Sequence, residues 1–336
     1  MNRIALSGLG RIGRVAIRLL AARQPDLLCA LNDPAPLDQV VHLLRHDSVH
    51  GPASCAIQGL QERGQDYLLL DGRRIPLFHA TDPAAISFPA GTRLVVEASG
   101  RFTRRADAAR HLKGAVSHVV ISAPSPDADI TVIAPVNGKD LDPGRHRIIS
   151  NASCTAHATA PMLAILDAAF GLEHVGMSTI HVVTNDQRLL DAPHGDLRRA
   201  RTAFGSIIPT TSSAFGALRK VMPGLPEGFG GVAIRVPTLN VNLVDVTATL
   251  RRDATVPAIR DAFRSAAMGP WSSLVGLAEP DLVSRDFTGR TESVVMDLDL
   301  TKTLGSRFVK IFGWHDNETG YAARLCDLVG DLAGRI

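Results

Sequence analysis

The sequence predicts an α/β protein of two domains, on three observations. The first half alternates short apolar strands with helical stretches, and a Gly-x-Gly-x-x-Gly turn, Gly8-Leu9-Gly10-Arg11-Ile12-Gly13, separates one strand from one helix. The second half has long strand-like runs without a helix after each. Between them, Ser150-Asn151-Ala152-Ser153-Cys154-Thr155 leads a lone cysteine into an apolar helical run. The expectation is a Rossmann-type dinucleotide-binding domain plus an α+β catalytic domain with a mixed or antiparallel sheet. The boundaries expected are 1–151 for the first domain, completed by a C-terminal helix over 317–336, and 152–316 for the second.

Composition narrows the function. The 336 residues, 45% hydrophobic and 21% charged, suit about two globular domains with sizeable cores. A net charge of +3 without a Lys/Arg block gives no nucleic-acid tail. The densest basic cluster, Arg198-Arg199-Ala200-Arg201, reads as a solvated face, a structural ion-pair site or, more sharply, an anion site. Cys29, Cys55, Cys154 and Cys326 lie far apart with no Cys-x-x-Cys spacing, which argues against a metal site and against a disulfide framework. No basic leader with an apolar h-region precedes the first strand, and no apolar run approaches the ~18 residues of a membrane span. A reduced, cytoplasmic protein with neither membrane nor nucleic-acid partner is expected.

In chain order, Ile4-Ala5-Leu6-Ser7 reads as a strand and Val15 to Ala22 as a helix. Gly8 permits the tight turn, Gly10 admits a pyrophosphate to the backbone, and Gly13 permits close helix–strand packing. The helix N-terminus, at Arg11 and Ile12, supplies N–H groups to the phosphates. Leu27 to Leu31 forms a second strand ending in Asn32-Asp33. An acid there accepts hydrogen bonds from adenosine ribose hydroxyls and repels a 2′-phosphate, favouring NAD over NADP. Strands follow at 67–70, 93–97 and 118–122, with a helix over 104–112. Ser99, Gly100 and Ser122 end two of these strands, as neighbours of the nicotinamide ribose or pyrophosphate or as ordinary strand-to-loop turns.

Asn151 or Ser153 caps the helix expected over 155–169, placing Cys154 at its N-terminus, where unpaired N–H groups and the dipole favour a thiolate. Strand-rich runs then cover 177–184, 231–237, 243–250 and 308–314, with helices at 211–221, 256–267 and 317–334. His181, 27 residues after Cys154, forms either a thiolate–imidazolium pair with it or a structural hydrogen bond; spacing leaves both open.

These motifs together resemble the phosphorylating glyceraldehyde-3-phosphate dehydrogenase family and its erythrose-4-phosphate dehydrogenase relatives, over essentially the whole chain. The landmarks are Gly8 to Arg14, Asn32-Asp33, His46-Asp47-Ser48-Val49-His50-Gly51 and Ser150 to Thr155. His181 through Gln187, Asp196 to Arg201, Arg235-Val236-Pro237-Thr238 and Trp314 through Tyr321 complete them. The resemblance implies that Cys154 attacks an aldehyde and that His181 takes the hydroxyl proton as hydride passes to NAD. A thioester remains, which inorganic phosphate cleaves. It further implies that Asn317 holds the nicotinamide carboxamide, and that Thr184 and Arg235 hold the phosphate of a small phosphorylated aldehyde. Ser153, Thr155 and Arg199 would lie near the attacking phosphate, with Ser212 and Ser213 in its loop. A homotetramer is implied, the Ala192-Pro193 segment resembling a loop that reaches a neighbour's cofactor.

Several positions depart from the family pattern. The usual Cys-Thr-Thr-Asn-Cys reads Cys154-Thr155-Ala156-His157-Ala158, so a second cysteine is absent and His157 either perturbs Cys154 or fills space. The usual Thr-Gly of the phosphate loop is Ser212-Ser213, which forfeits glycine's access to positive φ. Val182-Val183, His315 and Pro135-Val136-Asn137-Gly138 also differ from the usual residues. The alternatives are an erythrose-4-phosphate dehydrogenase using water, an acceptor such as arsenate, or a weakly active NAD-binding paralogue acting through a partner.

Overall fold

A computed structural model describes residues 3–336, which fall into two compact units: residues up to Ala152 with Ala322–Ile336, and Ser153–Tyr321. In the first, β1 (Arg3–Ser7) enters the glycine turn and α1 (Arg11–Arg23), followed by β2 (Leu28–Asn32) and α2 (Leu37–Arg45). A meander of β3 (Ile57–Glu62), β4 (Gln65–Leu70) and β5 (Arg73–Phe78) comes next. Then follow β6 (Thr92–Glu97), α3 (Arg105–Ala108), β7 (His118–Ile121), β8 (Ile130–Thr131), α4 (Ala134–Asn137) and β9 (Ile148–Ser150).

Among the described residues these strands make one nine-stranded sheet, β3-β4-β5-β2-β1-β6-β7-β9-β8. The meander pairs antiparallel and every other pairing is parallel. Strand order reverses at β1, so the carboxyl ends of β1 and its two neighbours form the switch-point crevice where such sheets bind ligands. Ile4, Ala5 and Leu6 are all fully buried, as expected of a strand covered on both faces. The segment 322–336 adds Leu325, Leu328, Val329 and Leu332 to the core that holds Ile4, Leu6 and Ile17.

The second unit opens with α5 (Cys154–Phe170) and β10 (Leu172–His181). Next come β11 (Ile208–Thr210), α6 (Ala214–Val221), β12 (Gly230–Arg235), β13 (Asn242–Leu250) and α7 (Val256–Met268). The elements β14 (Val275–Leu277), β15 (Val294–Leu304), β16 (Phe308–His315) and α8 (Thr319–Arg335) complete the chain. Its seven-stranded sheet, β11-β12-β10-β13-β16-β15-β14, is mixed: β10–β12 and β14–β15 are parallel, the rest antiparallel. α5 is apolar almost all round and buried from Thr155 to Met162, which places the first turn of this helix inside the unit.

Local departures from the sequence reading have local causes. The stretch 104–112 is one α-helical turn followed by a 3-10 turn, Ala109–His111, rather than a full helix. The strands β3 and β5 and the helix α2 escape the sequence reading. β3 buries only Ile57, and β5 carries Arg73, Arg74 and Pro76, so neither has a strong apolar signal. No helix among the described residues is long and apolar enough to cross a membrane.

Candidate active site

Ser153 is extended (φ −130°, ψ 160°), and its Oγ accepts from Ala156 N at 3.2 Å, so Ser153 rather than Asn151 caps α5 and Cys154 is its first residue. His181 ends β10, with Nε2 3.8 Å from Cys154 Sγ. Its Nδ1 lies 2.8 Å from Val182 O. A carbonyl oxygen only accepts, so the proton resides on Nδ1 and the Nε2 lone pair faces the thiol. Arg235, paired with His181 across β10–β12, lies against Nδ1, to which it cannot donate while that atom carries its proton, and its Nη1 donates instead to the same carbonyl at 3.1 Å.

Burial pushes the Cys154 thiol up; the Thr155 hydroxyl and the Arg235 charge pull it back without prevailing. Burial, and then the Arg235 charge, pushes His181 well below the ordinary imidazole range. Both directions favour thiol and neutral imidazole at rest. This corrects the expected resting thiolate: a helix N-terminus and one guanidinium do not outweigh taking a charge out of water.

Arg199 has all three kinds of donor engaged, with Nη1 on Asp186 Oδ2 (2.6 Å), Nε on Thr210 Oγ1 (2.9 Å) and Nη2 on Thr211 O (3.0 Å). Thr210 in turn donates to Asp196 Oδ2 at 2.6 Å. Thr184 is half-buried, its N–H donating to Gln187 Oε1 at 3.2 Å. Ser212 Oγ accepts from Ala214 N at 3.2 Å before α6. Ser213 has φ −68°, so the conformation here makes no demand for glycine. His157, buried one turn into α5, adds its charge to the forces on His315.

Within the first unit the glycine turn is sterically required. Gly8 has φ 98°, and a Cβ on it would lie 2.3 Å from Ser99 N; one on Gly13 would lie 2.1 Å from Gly8 O. Gly10 faces open space and gives α1 no side-chain cap, the arrangement an anion needs to reach a helix N-terminus. The Arg11 guanidinium is held bidentately by Asp47 at 2.6 and 3.1 Å, and Ile12 is half-buried. Asp33 accepts from Leu9 N (2.6 Å) and Ala35 N (2.9 Å), which pins its carboxylate beside the turn with lone pairs remaining. Ser99 is clasped by buried Glu97, whose Oε1 accepts from its N–H at 2.8 Å, and Gly100 has φ 72°. Ser122 Oγ is buried with no partner. These features fit a dinucleotide.

Asn317 Oδ1 accepts from Val241 N at 3.1 Å, leaving Nδ2 to donate elsewhere. Asp316 holds it in place: Oδ1 accepts from Glu318 N and Thr319 N at the start of α8, and Oδ2 from Asn240 Nδ2 and Gly289 N. Asp186, Asp316 and Asn242 have no assigned role in the sequence reading. Asn242 leaves a trace, since alternation along β13 puts it on the buried face with Val244 and Val246, where an amide is out of place.

One chain thus carries a dinucleotide-binding fold and a thiol–imidazole pair, the imidazole buried, which define an NAD-binding oxidoreductase. Residues 2–105 match the family model for the glyceraldehyde 3-phosphate dehydrogenase NAD binding domain, and residues 153–317 match that for the C-terminal domain. The chain is 41% identical to glyceraldehyde-3-phosphate dehydrogenase of Geobacillus stearothermophilus, covering 99% of this chain and 98% of that one. It is 40% identical to glyceraldehyde-3-phosphate dehydrogenase 1 of Bacillus subtilis, with 98% of each covered, and to the Kitasatospora aureofaciens enzyme, with 100% of each. The protein belongs to the glyceraldehyde 3-phosphate dehydrogenase family and uses NAD.

Proposed function

We propose that the protein oxidises glyceraldehyde 3-phosphate to an acyl phosphate, with inorganic phosphate as acyl acceptor. The carrying observation is the 3.8 Å approach of His181 Nε2, lone pair forward, to Cys154 Sγ. As Sγ bonds to the aldehyde carbon, Nε2 removes the thiol proton and delivers it to the carbonyl oxygen, giving a thiohemiacetal. Nε2 then takes the hydroxyl proton back while hydride leaves the carbon, and a thioester remains on Cys154. NAD, when bound, supplies the hydride acceptor. Phosphate adds to the thioester carbon and expels the Cys154 sulfur, which recovers a proton from His181.

In this reading Thr184 and Arg235 hold the substrate phosphate, and Ser153, Thr155, Arg199, Ser212 and Ser213 surround the attacking one. The turn Gly8 to Gly13, with Arg11, Ile12, Asp33, Ser99, Gly100 and Ser122, holds the dinucleotide, and Asn317 donates to its carboxamide. The segment between β10 and β11 exposes Leu189, Leu190 (75%), Leu197 (82%) and Ile207, apolar surface that suits burial in a homotetramer.

The test is steady-state NADH formation from glyceraldehyde 3-phosphate and from erythrose 4-phosphate, each with and without phosphate. Strict phosphate dependence with the triose supports the proposal, and Cys154→Ser should lose turnover by roughly 10³-fold or more. The full engagement of Arg199 favours one rival reading, in which water is the acceptor for the tetrose. Phosphate-independent turnover of erythrose 4-phosphate would establish that rival instead.

A further inference from the structure

The backbone ladder between β10 and β13 stops at Ile180 opposite Leu243, one residue short of His181. The cause is Val241, whose φ of 69° turns the chain away. A β-branched residue in the left-handed region is a genuine outlier, and it persists only where its surroundings over-determine it. Here Val241 N donates to Asn317 Oδ1, while Asn240 Nδ2 donates to Asp316 Oδ2 at 2.9 Å. With the main chain diverted, a side chain continues the pairing: Asn242 Oδ1 accepts from Val182 N at 2.9 Å. Asn242 is fully buried and its Nδ2 has no partner, so the amide leaves one donor unmet on an otherwise apolar face. Packing alone would be served better by an apolar residue. What Asn242 provides is its acceptor, aimed at the residue whose carbonyl holds His181.

We propose that Asn242 is a positioning residue for His181. It fixes the Val182 main chain, and Val182 O in turn fixes the Nδ1–H tautomer and aims Nε2 at Cys154. Asn242 is itself anchored, through the strained Val241, to Asn317. The inference rests on the role proposed above for His181.

His181 is faced by Cys154 from α5, Arg235 from β12, His315 from β16, and Arg199 from the segment before β11. Asn242→Ala leaves all four in place, so a changed pH profile reports orientation and tautomer rather than altered charge. The experiment compares wild type, N242A, N242D and H181N as full chains. It records kcat and KM for the aldehyde, the rate of Cys154 alkylation by iodoacetamide across pH, and thermal unfolding. N242A should lower kcat about tenfold with KM for the aldehyde within about twofold, and its alkylation profile should approach that of H181N. N242D keeps an accepting oxygen and should restore kcat to within about threefold, while its carboxylate moves the His181-dependent limb to higher pH. Wild-type kcat and alkylation in N242A, whatever its Tm, would make the residue merely structural and overturn the proposal. Should N242A fail to fold, N242D decides alone: a limb that does not move shows that position 242 has no bearing on His181. An alkylation profile that H181N leaves unchanged would overturn the role of His181 itself, and this inference with it.

Discussion

Desolvation pushes the Cys154 thiol up and the His181 imidazole down, and those directions set how the site responds to pH. The general base is available down to pH values well below the ordinary imidazole range, so the acid limb of kcat should lie below about pH 6.5. Stopped-flow or steady-state rates across pH would check this; an acid limb above 6.5 would mean a charged resting imidazole. The buried histidine beside them carries a stability consequence. Burial first, and the charge of His157 second, lower His315 to about 3 from 6.5. Its folded pKa is depressed, so the stability it contributes is fully present above pH 6.5 and is lost as pH falls from there toward 3. The slope from this residue reaches about 1.4 kcal/mol per pH unit. Urea unfolding at several pH values should show a flatter acid limb, by about one proton, in His315→Phe. Cys154 and His181 are legible in the sequence as residues, but their charge state is not. That state depends on which atoms exclude water around them, and both the adjoining Thr155 and the distant Arg235 share in it.

At the scale of the element, the glycine turn was the most readable feature because its requirement is steric and local. A Cβ on Gly8 would collide with backbone at Ser99, which cannot swing aside as a side-chain tip can. Gly8→Ala should therefore raise the NAD dissociation constant at least tenfold, as measured by tryptophan fluorescence or calorimetry; a change below about twofold would show the turn can relax. The N-cap of α5 is a milder device. Ser153→Ala removes one hydrogen bond to Ala156 N and should cost about 1 kcal/mol of unfolding free energy, read from urea midpoints. In the second unit β10, β12, β13 and β16 were visible from their runs of branched residues, whereas β15, the longest strand there, escaped the sequence reading. Of the meander only β4 was visible; β3 was not, because it leaves polar residues on both faces, and pairing partners supplied what its own sequence lacks. Val241 belongs with the unreadable features: nothing about a valine announces positive φ, which only its hydrogen bonds to and around Asn317 reveal.

For the whole molecule, the decisive feature is that one core is built from two distant stretches of chain. Leu325, Leu328, Val329 and Leu332 share a cluster with Ile4, Leu6, Ile17 and Leu20. Leu332→Ala should cost about 3 kcal/mol, and a chain ending at Tyr321 should leave the first unit unable to fold, seen as lost NAD binding and lost cooperative unfolding. A terminal helix over 317–334 was expected from the sequence. Its destination was legible only through resemblance, since no local signal says which core a terminal helix completes. During synthesis the consequence is one of timing. The stretch 153–321 is continuous and can fold as soon as it clears the ribosome, whereas the nucleotide-binding half, though made first, must wait as an open sheet until residues 322–336 emerge. For that interval the oldest part of the nascent polypeptide is the part most exposed to chaperones and to aggregation.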